Sequence, residues 1–356
     1  MHHTTLGVCL FLATSHLAGC HPDSEPPASG TSPDASVSSD APTSDSSSWI
    51  ADPGLVGPPF QLNDATCVDS GSQIKCVDVV YSQVGGVSLH LDLYAPPAAR
   101  TQRVPAIMYL HGGGWSLGSY HNPGLAIERY VAAGYAVVSV EYRLTLKGGT
   151  PTGYVFPADI QDVKTAVRWL RTKGSGLIDG DRILGYGFSA GAHLAMLLAD
   201  TANVGAFEGR GDPAVPSTVK GIVALSPAID FHLFIPQNPP LDASCPPQDP
   251  VNQTPIEAIS LLIGADCTDP QNADALTALS PLTYLDASSA AMLVFSGTCD
   301  QTVPYRGAVD FAEQASALGI DQIDVEIVEG AFHGGTLGTA DSKAALESFI
   351  ANQLGT

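Results

Sequence analysis

The chain has 356 residues, of which 44% are hydrophobic and 14% are charged, so it is not disordered throughout and can bury a sizeable core. Asp and Glu number 36 against 15 Lys and Arg, and the formal net charge of −21 argues against nucleic acid and anionic membrane surfaces as partners. No apolar run reaches the roughly 18–20 residues of a membrane-spanning helix, so no membrane span is expected.

The first segment has the features of an export signal. Residues 6–19 (LGVCLFLATSHLAG) are apolar and end in small residues directly before Cys20. The sequence Leu17-Ala18-Gly19-Cys20 resembles the lipobox of bacterial lipoproteins. That resemblance implies that residues 1–19 are a signal peptide and that Cys20 carries lipid. The lipid would anchor an exported protein to the bacterial cell envelope, and the sequence does not give the membrane leaflet. The alternative interpretation is a buried N-terminal helix, and the first residues, MHHTT, lack the Lys or Arg of most export signals.

The next segment is too polar to collapse. Residues 22–48 hold 10 Ser, 5 Pro and 5 Asp or Glu among 27 positions. Such a composition is typical of a flexible tether. We therefore expect residues 20–60 to connect the anchor to a folded domain at 61–356, with membrane contact only through the lipid.

The cysteines agree with export. With Cys9 removed in the signal and Cys20 lipidated, five cysteines remain, and the sequence leaves their pairing open. Short local loops in an oxidising compartment favour a bridge between Cys67 and Cys76. The same argument favours a bridge between Cys245 and Cys267, which leaves Cys299 as a packed thiol. The spacings do not resemble a zinc site, and no metal is expected.

The folded domain begins with a period-two pattern and continues with apolar runs. Val87, Leu89, Leu91 and Leu93 alternate with other residues, which indicates an antiparallel strand with one buried face. Continuous β-type runs, typical of a sheet covered on both faces, follow at 106–110, 135–140, 183–186, 221–225, 292–295 and 323–328. Helical segments lie between them, such as 159–173. The alternation predicts one α/β domain with a mostly parallel central sheet, helices on both faces and antiparallel strands at its start.

Residues 228–285 interrupt this alternation with a segment rich in Pro, Asp and Asn, here called the excursion. Long excursions at the carboxyl edge of a parallel sheet usually shape a substrate site. The alternative interpretation is a loop without function.

A serine stands at a tight turn between a predicted strand and a predicted helix. Gly187-Phe188-Ser189-Ala190-Gly191 follows the strand RILGY and precedes the helix AHLAMLLAD. This is the context of a nucleophile elbow, in which the flanking positions have almost no room for side chains. We therefore expect Ser189 to project above the sheet as a nucleophile.

A run of glycines stands after an earlier strand. His111-Gly112-Gly113-Gly114-Trp115 directly follows VPAIMYL. Glycines let backbone N–H groups approach a ligand, and an acyl-transfer intermediate needs two or three such donors for its oxyanion. We expect this oxyanion hole to be formed by Gly113, Gly114 and Ala190; the alternative is a flexible glycine turn.

The serine needs a base, which follows both the serine and the acid in the chain where elbow geometry holds. After Ser189, His193 lies on the elbow helix and is expected to pack beneath it, and His232 lies in the excursion. His333 follows the predicted strand IDVEIV and is the candidate base, although a surface histidine is the alternative.

The acid must lie between the serine and the base. Asp300 directly follows the buried strand AMLVFSG and is the candidate, with a simple helix cap as the alternative. The rival carboxylates, none of which follows a buried strand so directly, are Asp230, Asp274, Asp286, Asp310, Asp324 and Glu329.

With these residues assembled, the chain resembles the α/β-hydrolase superfamily, specifically its hormone-sensitive-lipase-like esterases and the bacterial feruloyl and acetyl esterases. The similar stretches are HGGGW at 111–115, VEYRL at 140–144, FPADIQDVKTAVRWL at 156–170, GFSAGAHLA at 187–195, LSP at 225–227, SPLTYL at 280–285, GTCDQTVP at 297–304 and GAFHGG at 330–335. The resemblance implies an α/β-hydrolase fold with Ser189 as nucleophile, His333 as general base and acid, and Asp300 as its orienting partner. It also implies structural roles for Asp162 and Arg168.

These residues together predict a serine carboxylesterase that forms an acyl-enzyme and needs no cofactor. The expected partner is a small-molecule ester, with small to medium acyl groups implied by the resemblance alone; the sequence does not give the oligomeric state. One alternative is a prolyl-oligopeptidase-like serine peptidase, which has the same sheet and the same order of reactive residues. Another is a lipid-anchored binding protein without catalysis.

Overall fold

The computed structural model describes residues 61–62, 65–121, 123–235, 245–246 and 254–355, all within one compact unit, Ala51–Thr356. The predicted signal peptide, lipidated Cys20 and tether lie outside the described residues. Within the described part of the chain, no helix is long and apolar enough to cross a bilayer.

Strands and helices alternate through the described residues. The strands are β1 Gln61–Leu62, β2 Ala65–Asp69, β3 Ile74–Val84, β4 Val87–Ala95, β5 Val104–Leu110, β6 Ala136–Val140, β7 Leu146–Lys147, β8 Thr150–Pro151, β9 Ile178–Phe188, β10 Gly221–Leu225, β11 Ala291–Gly297 and β12 Ile323–Val328. The helices are α1 Ile127–Ala132, α2 Ala158–Thr172, α3 Ala190–Asp200, α4 Pro255–Ile263, α5 Ala273–Leu279, α6 Arg306–Leu318 and α7 Ala340–Leu354.

One large sheet organises the fold, with strand order β1-β2-β3-β4-β6-β5-β9-β10-β11-β12. From β6 to β12 neighbouring strands are parallel, whereas β1 to β4, and the pairing of β4 with β6, are antiparallel. This confirms the prediction of a mostly parallel sheet that starts with antiparallel strands. The carboxyl ends of β5, β9 and β11 therefore lie on one edge, where the residues after each strand can meet.

Both faces of the sheet are covered. Along β5, Met108 and Leu110 belong to the apolar cluster that contains α2 and α3, whereas Ile107 and Tyr109 belong to the cluster that contains α1 and α7. Alternate residues of a strand point to opposite faces, so a continuous apolar run is what this position requires.

The prediction of one buried face for β4 is wrong for its second half. Asp92 is 1% exposed and Tyr94 is 6% exposed, although both lie on the face predicted to be open. The reason is that β4 lies inside the sheet between β3 and β6, where both faces are covered.

The structure corrects one of the two predicted disulfides. Cys67 pairs with Cys76, as predicted, across β2 and β3. The predicted pairing of Cys245 with Cys267 is wrong, because Cys245 pairs with Cys299 instead. Cys267 is a buried free thiol that packs among apolar side chains of the excursion. The fold, rather than closeness in sequence, brings Cys245 to the end of β11.

Two charged residues of α2, Asp162 and Arg168, bind groups in neighbouring loops. Asp162 accepts hydrogen bonds from the Arg143 guanidinium, with the closest at 2.7 Å. Arg168 is paired with Glu208 and donates to the carbonyl oxygen of Val215 at 2.9 Å. These contacts agree with the structural roles that the sequence resemblance implied.

Candidate active site

Ser189 occupies a sharp turn between β9 and α3, with φ of +54°. A left-handed backbone is costly for a residue with a side chain and is typical of a strained functional turn. A Cβ atom on Gly187 would overlap the Gly191 carbonyl, and a Cβ on Gly191 would overlap the carbonyl of Leu110. The two glycines are therefore required for the turn that exposes the Ser189 side chain.

Ser189, His333 and Asp300 form one hydrogen-bonded chain. The Ser189 Oγ lies 3.0 Å from His333 Nε2, and His333 Nδ1 lies 2.7 Å from Asp300 Oδ2. The His333 side chain is 18% exposed and that of Asp300 is 2% exposed. The carboxylate accepts a hydrogen bond from the Nδ1–H group, which leaves Nε2 unprotonated as the acceptor for the serine hydroxyl.

The second oxygen of Asp300 is also satisfied. Asp300 Oδ1 accepts hydrogen bonds from the backbone N–H groups of Thr302 at 2.9 Å and Val303 at 2.8 Å. Because α6 begins at Arg306, Asp300 does not cap that helix. Backbone donors on one oxygen and His333 on the other hold the carboxylate in a single orientation.

Rival acids and bases bond elsewhere. Asp230 accepts from the N–H of His232, Asp286 accepts from Ser288, and Asp310 pairs with Arg306. His232 Nε2 lies 3.0 Å from the hydroxyl of Thr277 at the surface. His193 is fully buried beneath the elbow, as predicted.

The loops that carry Asp300 and His333 are bonded to each other. The Cys299 N–H donates to the Ala331 carbonyl at 3.0 Å, and the Gly330 N–H donates to the Thr298 hydroxyl at 2.9 Å. These bonds keep the acid and base loops at a fixed separation. The disulfide from Cys299 to Cys245 adds a covalent restraint to the acid loop.

The glycine loop lies directly against the serine. A Cβ atom on Gly112 would lie 3.2 Å from the Cβ atom of Ser189. Gly113 has φ of +125° and Gly114 has φ of +57°, conformations that favour glycine. The Ser189 side chain does not cap α3, so it does not compete for the first N–H groups of that helix, which include that of Ala190. The loop that carries Gly113 and Gly114 thus lies beside the predicted nucleophile, which Ala190 directly follows.

Tyr142 holds the start of the glycine loop. Its hydroxyl donates to the carbonyl oxygen of His111 at 2.7 Å, and its ring stacks on the His111 imidazole at a centroid distance of 4.4 Å. The imidazole Nδ1 lies 2.8 Å from the Gly112 carbonyl oxygen. Burial lowers the pKa of His111, so its ring remains neutral as a structural part of the loop.

Phe188 joins the two sides of the site, which the sequence did not reveal. Its ring lies 5.0 Å from the His333 ring, centroid to centroid. A Cβ on Gly112 would lie 2.9 Å from the Phe188 ring, and a Cβ on Gly334 would lie 3.2 Å from it. Glycines on both loops therefore make room for this ring. The signal in the sequence that could have identified Phe188 is a bulky aromatic residue inside the elbow, combined with glycines in the two loops that pack against it.

One group of side chains elsewhere offers metal-ligating atoms. Within the described residues, ligand atoms of Asp78, Asp92 and His121 lie within 4.8 Å of one another. Asp92 already accepts from the Asp78 N–H at 2.9 Å and contacts His121 Nδ1 at 3.0 Å. Tyr120 donates to Asp78 at 2.8 Å. These hydrogen bonds account for the arrangement of the group.

The chain is similar to a known protein family and to a bacterial esterase. The BD-FAE family model matches residues 91–315 of the chain. Esterase LipC of Mycobacterium tuberculosis (strain ATCC 25618 / H37Rv) is 26% identical over 247 residues, which cover 68% of this chain and 56% of LipC. The chain thus spans little more than half the length of that relative.

Solved structures are similar in fold. A truncated carbohydrate esterase from gut microbiota has a TM-score of 0.64 at 24% identity, covering 79% of this chain and 96% of that chain. Thermogutta terrifontis esterase 2 phosphorylated by paraoxon has a TM-score of 0.60 at 22% identity, covering 83% of this chain and 97% of that chain. The described domain has the α/β-hydrolase fold that the sequence predicted.

Proposed function

The chain belongs to the BD-FAE family, and we propose that it is a serine carboxylesterase that hydrolyses small to medium acyl esters through an acyl-enzyme on Ser189. The observation that carries the proposal is the hydrogen-bonded chain from the Ser189 hydroxyl through His333 to Asp300. The sequence similarity of the protein to esterases such as LipC supports the same reaction class.

In the first half of the reaction, the Ser189 hydroxyl attacks the ester carbonyl carbon. His333 Nε2, 3.0 Å from Oγ, takes the proton as the new C–O bond forms. The Asp300 carboxylate, 2.7 Å from Nδ1, stabilises the imidazolium that results. Because Asp300 is already held by two backbone N–H groups, it needs no rearrangement to do so.

The carbonyl oxygen becomes an oxyanion in this step. The N–H groups of Gly113, Gly114 and Ala190 are the proposed donors, and the N-terminus of α3 adds a favourable partial positive charge. Removing one such donor typically costs roughly 3 kcal/mol of transition-state stabilisation.

The tetrahedral intermediate then collapses. The C–O bond to the alcohol breaks, and the alcohol leaves with the proton held on His333. In the second half, His333 takes a proton from water, the resulting hydroxide attacks the acyl carbon, and Ser189 leaves with that proton. The carboxylic acid is released and the enzyme returns to its starting state. No step requires a metal or an organic cofactor.

The first test is hydrolysis of p-nitrophenyl acetate, butyrate and decanoate by the wild-type chain and by Ser189→Ala. We expect turnover by the wild type, a fall of several orders of magnitude in the variant, and faster turnover of the shorter esters. An anilide with the same acyl group distinguishes a peptidase, which would cleave it at a comparable rate. Binding of esters by both folded proteins without turnover would instead support a binding protein.

The location of the enzyme is a separate proposal. We propose that it is exported and attached to the cell envelope through lipid on Cys20, with the acidic tether holding the domain away from the membrane. The support is the lipobox-like sequence 17–20 and the Ser-rich composition of residues 22–48. We also propose that the excursion, residues 228–285, forms part of the substrate site.

A further inference from the structure

The two ring nitrogens of His193 form a bridge between distant parts of the chain. Nδ1 accepts a hydrogen bond from the indole N–H of Trp115 at 3.1 Å, and Nε2 donates one to the Leu279 carbonyl oxygen at 2.9 Å. His193 is fully buried, and this burial lowers its pKa to about 4. At neutral pH the ring is therefore uncharged, with its proton on Nε2, and both nitrogens are satisfied.

The bridge joins three segments of the active site. Trp115 directly follows Gly114 at the end of the glycine loop. His193 lies on α3, and its backbone N–H donates to the Ser189 carbonyl oxygen at 3.0 Å. Leu279 is the last residue of α5 in the excursion. The glycine loop is thus tied to the nucleophile helix and to the excursion by one side chain.

Apolar packing shields the bridge from water. The ring of Phe231 lies 5.6 Å from the Trp115 ring and 5.0 Å from the His193 ring, centroid to centroid. Trp115 and Ala190 belong to the same buried cluster as Phe231 and Val303. In such surroundings an unpaired indole N–H would be costly, so the bond to His193 is retained in the folded state.

Trp115 requires a restraint of this kind. Its backbone has φ of +55°, a conformation that bulky residues rarely adopt. Its carbonyl oxygen accepts from the Thr145 N–H at 2.9 Å, which fixes one side of the residue. The bond to His193 fixes the side chain. Together they restrain the carbonyl group and the side chain of the residue that follows Gly114.

We propose that His193 is a positioning residue of the esterase, which holds Trp115 so that the N–H groups of Gly113 and Gly114 point at the developing oxyanion. This inference rests on the proposed esterase function. The oxyanion exists only in the transition state and the intermediate. Loss of the bridge should therefore lower kcat and leave KM nearly unchanged.

The test compares His193→Gln with His193→Leu. Glutamine supplies a carbonyl acceptor for Trp115 and an N–H donor for Leu279, whereas leucine supplies neither. We expect kcat for p-nitrophenyl acetate to fall roughly 10–100-fold in the leucine variant, as for other small misplacements of reacting groups. The glutamine variant should recover most of that loss, and KM should stay within about 2-fold in both, since ground-state binding is unchanged.

Two further variants control for loss of stability. Leu197→Ala removes buried volume from the same helix without touching the bridge, and it should lower the melting temperature without lowering kcat. Trp115→Phe removes the donor and carries the test if His193→Leu fails to fold. The double variant Trp115→Phe/His193→Leu should be no slower than the slower single variant, because both changes break the same bond.

The indole N–H resonance of Trp115 reports the bond independently of turnover. It should move on His193→Leu and stay near its wild-type position in His193→Gln; an unmoved resonance in the leucine variant overturns the bridge. Wild-type kcat in folded His193→Leu, equal losses in both His193 variants, or a KM that rises as kcat falls overturns the positioning role. A wild type no faster than Ser189→Ala overturns the esterase function itself, and is recognised before any His193 variant is compared.

Discussion

Cys299 directly precedes Asp300 and is joined to Cys245 by a disulfide that spans 54 residues of sequence. The backbone N–H of Cys299 also donates to the Ala331 carbonyl, two residues before His333. The disulfide therefore ties the excursion to the place where the acid and base loops meet. It restrains the backbone on which the orientation of Asp300 depends.

We predict that Cys245→Ser/Cys299→Ser loses both stability and activity. The disulfide lowers the conformational entropy of the unfolded chain, and for a loop of this length this stabilises the folded state by about 4 kcal/mol. The freed acid loop should also let the Asp300 carboxylate move, so kcat should fall several-fold. Urea unfolding and p-nitrophenyl acetate kinetics measure the two effects separately.

Cys67→Ser/Cys76→Ser is the matched control for that prediction. This pair closes a loop of 9 residues between β2 and β3, where the same reasoning gives about 2.5 kcal/mol. Its kcat should remain at the wild-type value. Equal kcat for the two double variants would show that the bridge between Cys245 and Cys299 does not act on the loop that carries Asp300.

The sequence proposed three residues for the site that the structure brings within hydrogen-bond distance, and each of them follows a strand that is recognisable from its apolar run. Ser189, Asp300 and His333 follow β9, β11 and β12, and parallel strands deliver the residues at their carboxyl ends to one edge. Glycines that only a tight turn requires mark the elbow and the loop after β5. Local pattern and sheet topology together are therefore enough to assemble the candidate site.

What the sequence did not predict depends on where the excursion packs. The bond from Cys245 to Cys299 connects the excursion to the loop after β11, and the bond from His193 to Leu279 connects it to α3; both partners are far away in sequence. No periodicity fixes that placement, and short loop length favoured Cys267 as the partner instead. Tertiary packing left Cys267 inside an apolar cluster and brought Cys245 to the acid loop.

Asp300→Asn should lower kcat by about 10⁴-fold with little change in KM, because an amide cannot hold the His333 ring in the required tautomer or stabilise its cation. Asp310→Asn is a suitable control, since its exposed pair with Arg306 should affect activity by less than about 2-fold. Steady-state kinetics with p-nitrophenyl butyrate measure both. Retention of more than a tenth of the activity by Asp300→Asn would assign the acid to another residue.

Gly187→Ala should abolish activity and strongly destabilise the fold. Its Cβ would overlap the Gly191 carbonyl in the elbow, and a packed turn cannot relax without moving Ser189. Gly205→Ala is the control, because no atom lies within 4 Å of the Cβ it would gain. Soluble yield, melting temperature and paraoxon labelling of the serine compare the two. An active Gly187→Ala variant would mean that the elbow can accommodate a methyl group without displacing Ser189.

Cys20→Ser should prevent lipid attachment and leave the enzyme unanchored. Expression of the full chain in a bacterium fed with labelled palmitate should place the label on the wild type and on Cys9→Ser, but not on Cys20→Ser. The wild type should sediment with membranes, since dual or triple acylation anchors a domain stably. Labelled Cys20→Ser, or an unlabelled wild type, would contradict the proposed anchor.

The buried carboxylate of Asp200 should make the folded state less stable as pH rises. Burial raises its pKa from 3.8 to about 8, opposed by the nearby Ser289 hydroxyl. Between these values the folded state binds a proton that the unfolded state has lost, so the free energy of unfolding falls by roughly 1.4 kcal/mol per pH unit for this group. The stabilisation is complete below pH 4 and is lost by the time the pH exceeds about 8.

Asp200→Asn should remove this dependence, because asparagine resembles the protonated carboxyl at every pH. Urea unfolding at pH 5, 7 and 9 should show a difference in stability between variant and wild type that grows in favour of the variant as pH rises. Asp159→Asn provides the comparison, since burial raises the pKa of Asp159 only to about 7 and its effect should level off at a lower pH. A difference between Asp200→Asn and the wild type that does not change with pH would mean that Asp200 titrates normally in the folded state.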